Sequence, residues 1–576
     1  MQKQEVKLNK RERYKARLRP YDYFKEFETL DFENLGEGDR FYLQDFGIFN
    51  TDFLEDEFTM RLRIPAGRLS SEQFSYIAKI VKQYNLTVIL TARGGIQLHE
   101  LEYDNVFEIY KHFNELGLTT WQSFGDNIRN IVSDVYDGVG KYSEVEVYPL
   151  VIQMQEHILK NPRYVGMLPR RVSVGISGNR ANVTSFFAND LYFALAQKDS
   201  MLGFNVYMGG KNTEVAQDAD IFLLPDEVVD FFKAFVEAFY LHGSRSTRAK
   251  TRLFYLIEDI GMNGVKAHIQ KEYDKEFQSA ATLLLEIKEF SEHEVLKDGT
   301  YAFCYQTDFA KLQSDEMQKI AQYASEHDAE IRLGIDQNIY IIGLNDDKTP
   351  FASPKESSTV VACAGNLCPY SFWNIKNETS YLPLSQIHKH AIQVGFSGCA
   401  KGCGRHRHTD IGLIGLKTNS FGDTEGGARV FIGAEHSDGG CVARQLFTMV
   451  PLINLNEVLS LLITIFHKSG HHSFEDFSRH VLNKFSENFL AMWILANLQS
   501  SQALALDPND TVALDAQESF QVEKALLHKH FSSLEFLKLI DDSFLNAITI
   551  TCKTLWTVEG DDPNALLPKE KLQWEL

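Results

Sequence analysis

Four cysteines between Cys363 and Cys403 carry the clearest chemical signal in this chain. Cys363-Ala-Gly-Asn-Leu-Cys368 is a C-x4-C pair and Cys399-Ala-Lys-Gly-Cys403 a C-x3-C pair. Seven cysteines in 576 residues are too few for a disulfide framework, so the clustering points to metal ligation in a reducing compartment. Four thiolates suit either a tetrahedral zinc ion or an iron–sulfur cluster. Structural zinc usually takes C-x2-C knuckles, which neither pair provides. The neighbouring Gly365, Gly398, Gly402 and Gly404 favour a larger cluster wrapped closely by backbone, whose N–H groups can point at sulfur. On spacing alone, zinc and unligated thiols remain alternatives. Cys441 and Cys552 lack a close cysteine partner and read as packing residues.

The elements that must position these thiolates occur in duplicate. Met60–Leu101 lies over Phe303–Leu344 without a gap, at an offset of 243. Each copy reads as strand, polar entry, amphipathic helix and a strand pair around a Gly-bearing turn. A second repeat, VSVGISGNRANVTSF at 172–186, lies over IQVGFSGCAKGCGRH at 392–406, and GFNVYMGG at 203–210 resembles GARVFIGA at 427–434. The order is therefore a-b-a′-b′, two halves each with a small and a larger α/β unit.

The copies differ where chemistry is expected. Arg61 faces Cys304, Arg63 faces Gln306 and Arg93 faces Asp336, so the first copy holds cations that the second lacks. Conversely, Cys399 faces Asn179 and Cys403 faces Val183. Duplication followed by division of labour would leave one half binding anions and the other binding metal, with the site where the halves meet.

Composition narrows the classes. The chain is 44% hydrophobic and 24% charged, which fits a folded globular protein and excludes disordered or collagen-like chains. Its net charge of −20 demotes general nucleic-acid binding. Apolar stretches such as Val458–Phe466 fall short of the roughly 18 residues that span a bilayer. The basic N-terminus has no hydrophobic core or cleavage pattern, so it reads as a solvated arm or helix rather than a secretory signal, and a cytoplasmic protein is expected.

The two-half organisation and the run SGCAKGCGRHRHTDIGLIG resemble the siroheme-containing nitrite and sulfite reductase family, over about residues 40 to 485. The resemblance implies an α/β (α+β) fold with pseudo-two-fold duplication: two ferredoxin-like half-domains, two larger siroheme/Fe–S α/β domains and a helical C-terminal extension. The implied divisions are an N-terminal arm (1–50), half-domain 1 (51–118), a siroheme and anion-binding domain (119–300), half-domain 2 (301–350), a [4Fe–4S] and siroheme-binding domain (351–490) and the extension (491–576). It further implies that Cys363, Cys368, Cys399 and Cys403 hold a [4Fe–4S] cluster and that Cys403 bridges it to the siroheme iron. The first pair departs from the family, which normally has C-x5-C there.

The same resemblance assigns the cations. MRLRIPAG places Arg61 at the first substrate-binding arginine, NIRN places Arg129 at the second, and LPRRVS places Arg171 where the family has a lysine. Arg93, Arg170 and Lys250 fall at positions gripping siroheme carboxylates, with Thr91 and Gln97 as lesser polar contacts. Sulfite reductases of the family usually carry K-x-K in the last motif and nitrite reductases K-x-N. Ser173, a neutral residue at the second position, resembles the nitrite pattern, while Arg171 fits neither subgroup. Phe124 stands where some relatives have a cysteine able to cross-link to a tyrosine, and His406 and His408 read as proton relays or as capping residues.

The implied activity is a siroheme- and [4Fe–4S]-dependent six-electron reduction of sulfite to sulfide or nitrite to ammonia, at near parity. Since no G-x-G-x-x-G follows a strand, electrons would come from a ferredoxin or a separate flavoprotein. Rival readings are a four-cysteine zinc scaffold and a siroheme-family enzyme acting on another substrate.

Overall fold

A computed structural model describes residues 8–494 except 28, 52–53, 183–185, 288–290, 352–358, 373–377, 419–424, 488–489 and 492–493. The C-terminal extension expected from 491 onward, with Cys552, therefore lies almost wholly outside the described residues. The chain divides into two compact units, residues 1–358 with 437–439, and residues 359–436 with 440–576.

Unit one contains both copies of the first repeat. Helix Ser71–Gln83 begins because the Ser70 hydroxyl accepts from Gln73 N at 3.1 Å while Gln73 returns its Oε1 to Ser70 N at 3.2 Å. Phe74, Ile77, Ala78 and Val81 then recur at helical spacing and are buried. Its counterpart, helix Ser314–Glu326, buries Met317, Ile320, Ala321 and Ala324. The two helices begin and end 243 residues apart and pack on each other, with Gln318 Nε2 donating to Ser75 O at 3.2 Å.

The sheets repeat the same register. Arg61 pairs with Gln97 in the first copy, and Cys304 pairs with Tyr340 in the second, the same positions shifted by 243. Each five-stranded sheet is completed by a two-residue strand from the other copy. Lys311–Leu312 joins strand Thr87–Thr91, with Leu312 opposite Val88, and Arg68–Leu69 joins strand Glu330–Leu333, with Leu69 opposite Ile331. This reciprocal exchange makes the two half-domains one body.

The larger repeat is also in register. In unit one, strand Val174–Ser177 pairs in parallel with Leu191–Lys198, which continues antiparallel to Met201–Met208 and Gln217–Leu223. In unit two, Val394–Ser397 pairs in parallel with Ile411–Thr418, followed by Glu425–Ile432 and Arg444–Pro451. Val174 opposite Leu191 and Val394 opposite Ile411 differ by the expected 220. Helix Val228–His242 covers the first sheet with Phe231, Phe235 and Phe239, all buried. The mixed α/β, internally duplicated architecture read from the sequence is the observed one. Among the described residues, no helix is long and apolar enough to cross a membrane.

The N-terminal stretch forms the helix its reading allowed, but one that is docked rather than wholly solvated. Helix Lys10–Arg17 buries Lys15 and Glu12, because Lys15 Nζ meets Glu12 Oε1 at 2.6 Å, Asp126 Oδ2 at 2.9 Å and the Leu168 carbonyl at 2.7 Å.

Candidate functional site

Arg129 has an environment unlike that of an ordinary arginine. It is buried, its Nη2 donates to Gly125 O at 3.0 Å, and its Nη1 is enclosed without a hydrogen-bond partner. Burial first, then the positive charges of Arg61, Arg171 and Arg93, push its pKa well down. Four guanidinium groups therefore converge electrostatically, a cation cluster that an incoming anion would relieve.

Each member is set by a different element. Arg61 ends strand Leu54–Arg61; its Nη1 donates to Ser123 O at 3.1 Å, and its guanidinium carbon lies 3.9 Å from the Phe124 ring centre. Gln97 is its cross-strand neighbour. Arg93 sits in the turn between Thr91 and Gly95, closed by the Thr91 hydroxyl accepting from Gly95 N at 3.2 Å. Asn130 Nδ2 donates to Arg93 O at 3.0 Å and so ties this turn to the Arg129 segment. Arg171 follows Arg170, whose Nη1 is 3.9 Å from Asp126 Oδ1. Lys250 is exposed at the end of a short 3-10 turn, Arg248–Lys250.

Asp126 is the anionic hub behind this cluster. Arg248 reaches it with both terminal nitrogens, at 2.7 and 2.8 Å, and Lys15 at 2.9 Å. Burial pulls its pKa upward, but Lys15, Arg248 and Arg170 together hold it below the usual carboxylate range. Sequence reasoning missed Lys15, Asp126 and Arg248; a charged residue inside the motif GDNIRN was the available signal.

Two residues are placed otherwise than their motifs imply. Arg63, grouped with the first-copy cations, donates to the carbonyls of Trp121, Gln122, Ile128 and Arg129 and is 2% exposed. It clips the segment that carries Arg129 rather than facing an anion. Ser173 is 1% exposed and gives its hydroxyl to Asp190 Oδ2 at 2.8 Å, with Asp190 Oδ1 held by Arg252 at 2.7 Å. The second copy spends its equivalent positions on packing: Cys304 is buried in a small core, and Asp336 accepts from Tyr340 OH at 2.7 Å.

Unit two carries the four cysteines, all free of disulfides. Cys363 Sγ accepts from Gly365 N at 3.4 Å and from Gly398 N at 3.2 Å. A Cβ on Gly398 would stand 2.0 Å from Ser371 Oγ, so only glycine lets the two cysteine loops approach. Burial, and then Cys403, pushes the Cys363 thiol up to about 12. Cys368 and Cys399 are raised by burial, with a further contribution from Cys403. As thiolates these groups would repel one another, and a metal cation would offset that repulsion. Cys403 is the exposed member of the four.

His406 is buried, its Nδ1 3.1 Å from Ser397 Oγ, and burial followed by Arg407 and Arg429 takes its pKa down to about 3. It is a neutral residue bracing the loop. Cys441 packs against Gly433 O at 3.4 Å.

Two domain models match this chain. Residues 54–116 match the nitrite/sulfite reductase ferredoxin-like half domain, and residues 124–277 the nitrite and sulphite reductase 4Fe-4S domain. The chain carries both of these nitrite and sulphite reductase domains. It is 27% identical over 493 residues to the ferredoxin–nitrite reductase of Synechococcus elongatus, covering 79% of this chain and 96% of that protein. It is 28% identical over 414 residues to the chloroplastic ferredoxin–nitrite reductase of Spinacia oleracea, covering 65% of this chain and 69% of the relative. The solved structure of Mycobacterium tuberculosis NirA shares the fold, with a TM-score of 0.75 at 21% identity, over 84% of this chain and 97% of that one. The family's 4Fe-4S domain match falls on the first, arginine-bearing copy of the large repeat.

Proposed function

We propose that this protein reduces a small oxyanion by six electrons, nitrite to ammonium in the favoured reading, using siroheme and a [4Fe–4S] cluster. The observation that carries the proposal is the enclosed, unpartnered Arg129 Nη1 beside Arg61, Arg93 and Arg171. Such a group is costly to bury unless an anion completes it. At an effective dielectric of about 20, one unit charge about 4 Å away contributes on the order of 4 kcal/mol.

In this reading Arg61, Arg129 and Arg171 bind the substrate anion. Arg93, Arg170 and Lys250, with Thr91 and Gln97, hold siroheme carboxylates. Cys363, Cys368, Cys399 and Cys403 would hold the cluster, Cys403 also serving siroheme. When bound, siroheme would supply a redox-active iron able to bind an oxyanion. The guanidinium groups stabilise negative charge as it develops on the bound anion, which is electrostatic preorganisation. Asp126, held ionised by Lys15 and Arg248, keeps the loop of Arg129 in one arrangement before substrate enters.

Nitrite is favoured by the names of the related proteins. Sulfite is the second reading, because four clustered guanidiniums also suit a dianion. The relatives' names likewise support a ferredoxin as electron donor, with a separate flavoprotein as the alternative.

Arg129→Ala tests the proposal. It is expected to lower kcat/KM for nitrite by at least a hundredfold with reduced viologen as donor, while iron content stays at the wild-type value. Unchanged kcat/KM would remove Arg129 from the anion site.

A further inference from the structure

We propose that His471, Asp476 and His480, in unit two and apart from the cysteine cluster, form a site for one divalent transition-metal ion with nitrogen–oxygen preference, of the zinc class. The three come from a short stretch, Gly470-His-His-Ser-Phe-Glu-Asp-Phe-Ser-Arg-His480. Gly470, at φ +74°, ends helix Leu452–Ser469 in a left-handed turn and swings His471 back toward helix Phe474–His480. Asp476 and His480 lie four residues apart on that helix, so both side chains project from one face.

The geometry is that of a three-ligand set. Asp476 Oδ2 is 2.8 Å from His471 Nδ1, and its Oδ1 is 2.9 Å from His480 Nδ1. The two imidazoles are stacked, with centroids 5.7 Å apart and planes within 6°. All three ligand atoms fall within 4.8 Å of one another. The His471 ring also rests 6.1 Å from the Phe477 ring, and the Ser473 hydroxyl accepts from Asp476 N at 3.0 Å. Both contacts fix the ligands before any ion arrives, which lowers the ordering cost of binding.

Without an ion, each histidine can satisfy the carboxylate by carrying its proton on Nδ1. Binding moves that proton to Nε2 and leaves the Nδ1 lone pair for the metal, so neutral imidazoles bind with no net proton release and protonated ones must first lose a proton. Metal–nitrogen and metal–oxygen bonds of ~2.0–2.2 Å place tetrahedral ligand atoms about 3.3 Å apart, so the present contacts need to open by only about half an ångström. Two imidazoles and one carboxylate suit zinc and its neighbours and disfavour magnesium and calcium, which select oxygen. The fourth position is left to water.

Zinc titration of the cluster-loaded, chelator-washed full chain, followed calorimetrically, tests the assignment, since the cluster cysteines are then engaged. One zinc equivalent is expected in wild type, insensitive to excess magnesium. His480 is exposed, so His480→Gln probes the site without disturbing the core and is expected to weaken zinc at least tenfold. His472→Gln, one residue outside the set, is expected to leave it unchanged. Zinc should also raise the melting temperature of wild type but not of His480→Gln, and the visible spectrum should be the same in all three. Equal zinc affinity in wild type and His480→Gln, or an equal loss in His472→Gln, would overturn the site.

Discussion

The guanidinium carbon of Arg61 stands 3.9 Å from the centre of the Phe124 ring, and Phe49 stacks on that ring at 5.7 Å. A residue that precludes a cysteine–tyrosine cross-link thus supplies an aromatic face for a candidate substrate-binding cation. The backbone adds a second restraint, through the bond from Arg61 Nη1 to Ser123 O.

Cation–π contacts are worth about 0.5–2 kcal/mol, the larger values when desolvated. Phe124→Leu is therefore expected to raise KM for the anion by about 2- to 30-fold, with a smaller change in kcat. Phe124→Trp, which restores the face, should recover most of the loss. Steady-state kinetics with reduced viologen measures both, and equal effects of leucine and tryptophan would leave the ring as mere packing.

Ser173 was expected to tune selectivity by its lack of charge. Its hydroxyl instead belongs to the buried Asp190–Arg252 pair. Ser173→Ala is expected to cost about 1–3 kcal/mol of stability, the range for a lost hydrogen bond to a charged group, while the nitrite-to-sulfite ratio of kcat/KM stays constant. A ratio that moves without loss of stability would return Ser173 to the substrate pocket.

Local patterns announced the duplicated fold because both repeats keep their length: the offsets 243 and 220 reappear as strand registers. The exchange of Arg68–Leu69 for Lys311–Leu312 was illegible, since two residues carry no periodicity and their partners lie more than 200 positions away. Arg61 and Arg63 looked alike in MRLRIPAG, yet one lies in the cation cluster and the other caps four carbonyls. A guanidinium offers the same donors to a carbonyl as to an anion, and only the fold says which it meets. Lys15 was legible as a charge in a basic helix but not as a buried partner of Asp126.

A pH effect follows from Asp45, which is buried beside the same loop with its Oδ1 accepting from Asn127 Nδ2 at 2.6 Å. Burial raises its pKa to about 7, against the bond from Asn127, and the nearby Asp126 adds to the rise. The folded chain therefore holds a proton that the unfolded chain has released above about pH 4. Stability contributed by this group is present at low pH and is lost as pH rises from about 4 to about 7. Melting temperature should accordingly fall between pH 5 and pH 8 in wild type and fall less in Asp45→Asn, which keeps the acceptor and removes the charge. Parallel pH profiles would mean that Asp45 titrates normally.

The most direct test of the central claim is electron stoichiometry: the amount of reduced viologen oxidised per nitrite consumed by the cofactor-loaded protein, with ammonium assayed in the same vessel. Six one-electron equivalents per nitrite and one ammonium for each nitrite lost are expected, since nitrogen passes from the +3 to the −3 state. Consumption of one or two equivalents without ammonium, or no consumption of nitrite or of sulfite by the loaded protein, would contradict that claim.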